Sequence, residues 1–301
     1  MKKKIFPPPA EIREFWDKHP VGTDFILPAE GKEYFLAYDI FKFTQEPHIL
    51  EELGKLDLRG KRVLEIGVGQ GAEGQRIIEA GALYTGIDLS PKNIERMRAR
   101  CRLFSLPDEK LIVMNGEALA FPDATFDLVF SHGVLHHSPR IQKIITEIYR
   151  VLKPGGMVVA MLYHRHSLNY HLSIKILRRL GFFMLFLPGG SRVISLLTGE
   201  KEERVKKHLI NWRREGWRYL KLENWIARST DGPENVYSAV YSRSEARKLF
   251  SLFVNLDFKV YHLNERHFPL FRILLPARAK QALASRWGWH LWVKGYKPCS
   301  R

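Results

Sequence analysis

The sequence predicts an α/β fold: a mostly parallel, doubly wound sheet of about seven strands with helices on both faces. Three observations carry this expectation. Residues Val63 to Gly71 read Val-Leu-Glu-Ile-Gly-Val-Gly-Gln-Gly, a short apolar run that ends in an acidic residue and breaks into three alternate glycines. About 20 residues on, Leu83 to Asp88 form a second apolar run with a carboxylate at its carboxyl end. Further apolar runs follow at Lys110 to Met114, after Phe121 and at Met157 to Tyr163, in the alternation expected of a βαβ chain.

The first two runs describe a nucleoside-binding unit. Glycines at 67, 69 and 71 permit a tight strand-to-helix turn and leave bare backbone for a ligand to approach. Asp88 ends its strand at the open edge of a parallel sheet, where a carboxylate accepts hydrogen bonds from ribose hydroxyls. The loop alone does not exclude NAD, because Gly67, Gly69 and Ala72 are a tolerated variant of the dinucleotide fingerprint. A structural alternative exists for each acidic group: Glu65 as a strand-end residue satisfying backbone N–H groups, Glu117 as a solvated loop carboxylate.

Three further segments narrow the choice. Asn115-Gly116-Glu117-Ala118 follows the third strand, Phe121 to Val129 leads into the fourth, and Val151-Leu152-Lys153-Pro154-Gly155-Gly156 closes a helix before the fifth. With these, residues 45–165 resemble the class I S-adenosylmethionine-dependent methyltransferases, in particular the broad group containing the ubiquinone and menaquinone biosynthesis enzymes. The resemblance implies a Rossmann-like seven-stranded sheet whose last strand is antiparallel, S-adenosylmethionine as cofactor and S-adenosylhomocysteine as product. It implies that Glu65, Gly67, Gly69 and Gly71 flank the methionine part, that Asp88 holds the ribose and that Leu89 packs on adenine. Asn115, Glu117 and Ala118 fall on the adenine side and Ser131 on the pocket after the fourth strand.

Composition sets the outer bounds. The 301 residues, 45% hydrophobic, suffice for a full α/β domain with additions. Two cysteines, Cys101 and Cys299, lack metal-ligand spacing, which makes a reducing compartment the default. The start, Met1-Lys2-Lys3-Lys4 followed by Ile5-Phe6 and three prolines, has no apolar stretch of signal-peptide length and reads as a mobile leader. No run approaches the roughly 18 apolar residues of a membrane span, so the expected location is cytoplasmic, with peripheral contact at the inner membrane face left open. The net charge of +16 is unevenly placed: residues 1–163 hold 22 basic and 22 acidic residues, residues 164–301 hold 26 and 10. Such asymmetry suits an anionic membrane, a polyanion or solubility alone.

Four regions follow: a leader with lid helices (1–44), the cofactor core (45–165), a basic amphipathic helical insertion after strand five (166–240), and a completion of the sheet (241–301) carrying a second basic insertion from His267 to Trp289. Ala10 to Trp16 and Glu33 to Phe43 read as helices before the core, serving as a lid or as simple packing. In the insertion, Leu172, Ile176, Leu180, Phe183 and Leu187 recur at helical spacing, as do Val205, Leu209, Trp212, Gly216 and Tyr219, with basic residues between them. Leu180 to Leu187 is apolar nearly all round and reads either as the core of a cap or as a membrane-interface segment. Ser242 or Ser244 starts the next helix with a capping box, and the last strands fall near Phe258 to His262 and Leu291 to Tyr296.

Methyl transfer from a sulfonium is an in-line displacement in which alignment supplies much of the rate, so a base is optional. The candidates are His136 and His137, in the turn after the fourth strand. The cluster Tyr163 to Tyr170 lacks zinc-site spacing, and no metal is expected there or elsewhere. The leading reading is methyl transfer to a small lipid-, quinone- or sugar-like acceptor by O- or C-methylation. Two others stay open: an RNA methyltransferase, disfavoured by the absence of an Asn-Pro-Pro-Tyr type loop, and a non-catalytic membrane-associated cofactor-binding protein. Oligomeric state is not legible.

Overall fold

The computed structural model describes residues 6–22, 30–108, 110–263, 268 and 274–299. The start of the leader and most of residues 264–273 therefore lie outside the described residues. Seven strands form one sheet: β1 (Arg62–Ile66), β2 (Leu83–Asp88), β3 (Leu111–Val113), β4 (Phe126–His132), β5 (Leu152–Tyr163), β6 (Val254–Tyr261) and β7 (His290–Tyr296). Their order is β3-β2-β1-β4-β5-β7-β6, with β7 antiparallel to both neighbours and the pairs from β3 to β5 parallel. The order in which strands are added reverses between β1 and β4, so the carboxyl ends of the parallel strands β1, β2 and β4 open on one crevice.

The strands are apolar because both faces are covered. On β4, Val129 points to one core while Leu128 and Phe130 point to the other; on β5, Val158, Ala160 and Leu162 alternate in the same way with Val159 and Met161. The first face carries α6 (Ile141–Val151), whose Ile141, Ile144, Ile145 and Ile148 form one stripe, and α11 (Arg243–Leu249). Ile49 and Leu53 of α3 (His48–Leu53) and Ile77 of α4 (Ala72–Glu79) cover the second. Further out, α5 (Pro91–Phe104) packs Ile94, Met97 and Cys101 beside β3. Ser242, not Ser244, caps α11, with Glu245 closing the box.

Two helices precede the sheet, α1 (Pro9–Lys18) and α2 (Gly31–Gln45). Between β5 and α11 the chain forms a π-helical stretch (Asn169–Leu177), α7 (Arg178–Met184), α8 (Gly190–Thr198), α9 (Glu202–Glu215) and α10 (Leu222–Thr230). These share a core of their own around Tyr170, Ile174, Phe182, Tyr219 and Trp225, joined to the sheet through Tyr163 and Trp289. The apolar repeat from Leu172 to Leu187 is therefore two short helical pieces. Within it only Phe182 and Leu185 of the second piece are buried, while Leu180, Phe183, Phe186 and Leu187 are exposed. A last helix, α12 (Ala277–Trp287), precedes β7.

Candidate functional site

The crevice is a cavity of about 330 Å³ bounded by the glycine loop, the ends of β2 and β4, and the helices α1 and α2. The loop reaches this shape because Gly67 sits at φ +86° with a Cβ position only 2.2 Å from the Val134 side chain. Any other residue there would meet both strain and a clash. Asp88 locks the turn from across the sheet. Its Oδ2 accepts from the Gly69 N–H and from Asn93 Nδ2, each at 3.2 Å, and its Oδ1 accepts from the Ser90 N–H at 2.8 Å. Burial raises its pKa against the pull of these donors.

Of the residues singled out for the cofactor, Gly67, Gly69, Asp88, Leu89, Asn115 and Glu117 are in the cavity wall. Glu117 is already engaged: its carboxylate accepts from Ser138 Oγ at 2.8 Å and from Arg140 Nε at 2.6 Å. The other four stand behind the wall. Glu65 is buried beneath the loop, accepts a short hydrogen bond from the Tyr84 hydroxyl, and has its pKa driven well up by burial and then by Glu73. Ser131 is sealed in, its hydroxyl donating to the Ile66 carbonyl at 2.9 Å. Gly71 serves close packing, since a Cβ there would lie 2.2 Å from Met97 Sδ. Ala118 turns away with its N–H donating to the Asn115 carbonyl at 3.0 Å.

The two candidate histidines separate. His136 is fully buried, its ring 3.7 Å from that of Tyr163, and burial holds it neutral. His137 is in the wall. Its Nδ1 lies 3.1 Å from the Tyr237 carbonyl oxygen and 3.0 Å from Ser238 Oγ. Nε2 faces Asp231 Oδ2 at 4.0 Å. Asp231, which the sequence did not single out, also accepts from the Tyr163 hydroxyl at 2.8 Å, Thr230 Oγ1 at 2.6 Å and Asn235 Nδ2 at 3.0 Å. Its surroundings come from β4, β5, α10 and the segment after it, so no local pattern could have revealed it.

The helices α1 and α2 contribute Ile12, Trp16, Tyr38, Phe41 and Lys42 to the wall. α2 is fastened by Arg100 of α5, which is fully buried, clamps both Asp39 carboxylate oxygens at 2.7 and 2.9 Å, and donates to the Gln70 carbonyl at 2.9 Å. Lys42 pairs with Glu73 at 2.9 Å, and Glu73 faces His132 Nδ1 at 3.2 Å. These residues fit a nucleoside: backbone opened by glycine, a carboxylate at a strand end, an apolar neighbour and a polar far wall.

Comparison with known proteins agrees. Residues 64–160 match the family described as a methyltransferase domain. A demethylmenaquinone methyltransferase of Tropheryma whipplei is 36% identical over 129 residues, 41% of this chain and 53% of that protein. A fatty-acid O-methyltransferase of Mycolicibacterium smegmatis is 37% identical over 102 residues, 33% of this chain and 36% of that protein. The chain thus spans about half of the first relative's length and about a third of the second's. Among solved structures, the complex between the Trm112 methyltransferase activator and a methyltransferase of Haloferax volcanii shares the fold at TM-score 0.53 and 16% identity, over 90% of this chain and 99% of that one. Residues 64–160 are thus similar to the methyltransferase domain family, and the seven-stranded sheet built around them has the Rossmann-like arrangement of the class I S-adenosylmethionine-dependent methyltransferases.

Proposed function

We propose that the protein transfers a methyl group from S-adenosylmethionine to a small, largely apolar acceptor of lipid or quinone type, by O- or C-methylation. One observation carries this reading: a single cavity joins the Asp88 and glycine-loop end to the His137–Asp231 end, with Ile12, Trp16, Phe41 and Trp289 between. The named relatives act on a quinone and on fatty acids, which supports the acceptor class.

In this reading the cofactor supplies an electrophilic methyl group, and the chain's residues orient it. Asp88 takes the ribose hydroxyls, Leu89 packs on the base, and Asn115 and Glu117 face its polar edge. α1 and α2 roof the cavity and exclude water, which strengthens the electrostatic interactions inside. Asp231, with 14% of its side chain exposed, meets the acceptor hydroxyl or acidic carbon and, with His137 Nε2 behind it, takes the proton.

A surface feature suits a lipid-derived acceptor. Leu180, Phe183 and Leu187 around α7 and Leu196 and Leu197 of α8 are exposed, with Arg192 exposed beside them. No described helix is long and apolar enough to cross a membrane. We therefore expect the protein to co-sediment with anionic vesicles at low ionic strength and to release them as salt rises. Equal recovery in the supernatant with and without vesicles would remove the membrane reading.

The direct test is transfer of labelled methyl groups from S-adenosylmethionine into a cell extract, separated into organic-soluble, small aqueous, RNA and protein fractions. Label in the organic fraction, lost with Asp88→Ala, is the expected result. Label confined to RNA or to small aqueous metabolites would overturn the acceptor class.

A further inference from the structure

Four residues outside the glycine-loop site converge from four element ends. Glu46 follows α2, His48 opens α3, His132 closes β4 and His290 opens β7. One donor atom from each lies within 4.8 Å of all the others. His48 Nε2 is 3.1 Å from His290 Nδ1, while Glu46 Oε2 is 3.9 Å from His132 Nε2 and 4.0 Å from His290 Nδ1. In a tetrahedral zinc site with bonds of about 2.0–2.2 Å, neighbouring donor atoms stand roughly 3.4 Å apart. The cluster already has that size to within small side-chain movements.

Two features separate it from an ordinary hydrogen-bonded histidine group. First, Glu46 Oε2 and His132 Nε2 are both buried without a hydrogen-bond partner among the described residues, and they face each other. The His132 side chain is only 4% exposed. With its Nδ1 proton directed to Glu73, Nε2 presents a lone pair to a carboxylate oxygen. Two acceptors turned toward each other in a dry site repel unless a proton or a metal cation lies between them. Second, Glu73 supplies the outer carboxylate that metal-bound histidines commonly use to fix ring orientation and tautomer. Lys42, 2.9 Å from the same oxygen, anchors that carboxylate in turn.

We propose that Glu46, His48, His132 and His290 bind one divalent transition-metal ion, with zinc the ion that three imidazoles and one carboxylate suit best. Four protein donors close the coordination sphere, which makes the ion structural: it ties the end of α2 and the start of α3 to β4 and β7. Glu46, His132 and His290 also line the cavity, so the ion fixes one wall of the acceptor space. Binding of the ion does not depend on methyl transfer, and loss of one without the other tells the two readings apart.

The test uses the full chain, stripped with chelator and titrated with zinc chloride and, separately, cobalt chloride. The expected result is one ion per chain, the intense visible bands of tetrahedral cobalt, and a rise in Tm on zinc addition. Glu46→Gln, His48→Gln and His290→Gln should each weaken binding at least tenfold, and Glu73→Gln, which touches no ion, by about 10–100-fold. His171→Gln, an exposed histidine elsewhere, should leave it unchanged. Substoichiometric binding by the wild-type chain, a pale octahedral cobalt spectrum, or affinity equal in wild type and the ligand variants would each overturn the proposal. The wild-type stoichiometry and spectrum decide the matter even if a histidine variant fails to fold.

Discussion

The carboxylate of Asp88 is held by three donors and still has a raised pKa, because burial costs the charged form more than those hydrogen bonds return. In the proposed cofactor pose the ribose-binding form is the ionised one. As pH falls through a value above the ordinary 3.8, the acceptor is lost, so cofactor affinity should decline on acidification earlier than an exposed aspartate would allow. Isothermal titration across acid pH checks this; a flat profile in the wild type, or the same slope in Asp88→Asn, would count against ribose binding by this residue. At the other end, Asp231→Asn should reduce kcat by about 10²–10⁴-fold with little change in cofactor Kd, and His137→Ala should act in the same direction. His136→Ala should instead cost stability, about 1–3 kcal/mol, since its ring is fully buried against Tyr163. Unchanged turnover in both Asp231→Asn and His137→Ala would remove proton transfer from the mechanism.

At the scale of elements, α2, one of the two helices that roof the cavity, is tied to α5 by a buried ion pair. Arg100 is fully enclosed, and its two bonds to Asp39 join α5 to α2 across the loop. Asp39→Ala leaves a guanidinium uncompensated in the interior and should lose about 3–5 kcal/mol in urea denaturation. Ser242→Ala, which removes only the cap of α11, should lose about 1 kcal/mol. If the two losses are equal, the clamp does not hold α2. The π-helical stretch and α7 show the same dependence on context: the core around Trp225 accepts Tyr170, Ile174, Phe182 and Leu185 and leaves Ile176, Leu177, Leu180 and Phe183 outside.

Across the whole molecule, buried histidines make stability depend on pH. His164 joins β5 to the segment before β7, with Nδ1–H donating to the Gly288 carbonyl at 3.0 Å, and burial lowers its pKa from 6.5 to about 4. His166, Arg243 and His171 push in the same direction. Between those values the unfolded chain binds the proton that the folded chain refuses. The stabilisation is therefore complete above pH 6.5 and is lost as pH falls toward about 4. Tm should drop over that window, and His164→Gln should flatten part of the slope; an unchanged slope would assign it to other groups. The excess of basic residues after residue 163 belongs to this scale too: residues 166–240 hold 13 basic and 7 acidic residues, and residues 241–301 hold 12 and 3.

Much of the architecture was legible in the chain. The glycine loop, the strand ending in Asp88 and the order of the next three strands are local patterns, and local patterns follow from backbone conformation and side-chain period. The same holds for the capping box, where only the choice between Ser242 and Ser244 waited for the structure. Which residues face the cavity was not legible. Glu65 and Ser131 occupy the expected sequence positions, yet their side chains are buried behind the wall, because a strand-end residue can face a ligand or a neighbouring hydroxyl and the chain alone does not say which. Asp231, Arg100 with Asp39, and the group formed by residues 46, 48, 132 and 290 draw their partners from distant segments. The sequence determined the fold and the cofactor class because these rest on short-range geometry. The acceptor wall and the histidine cluster were decided by tertiary packing, which alone brings side chains hundreds of residues apart to within a hydrogen bond.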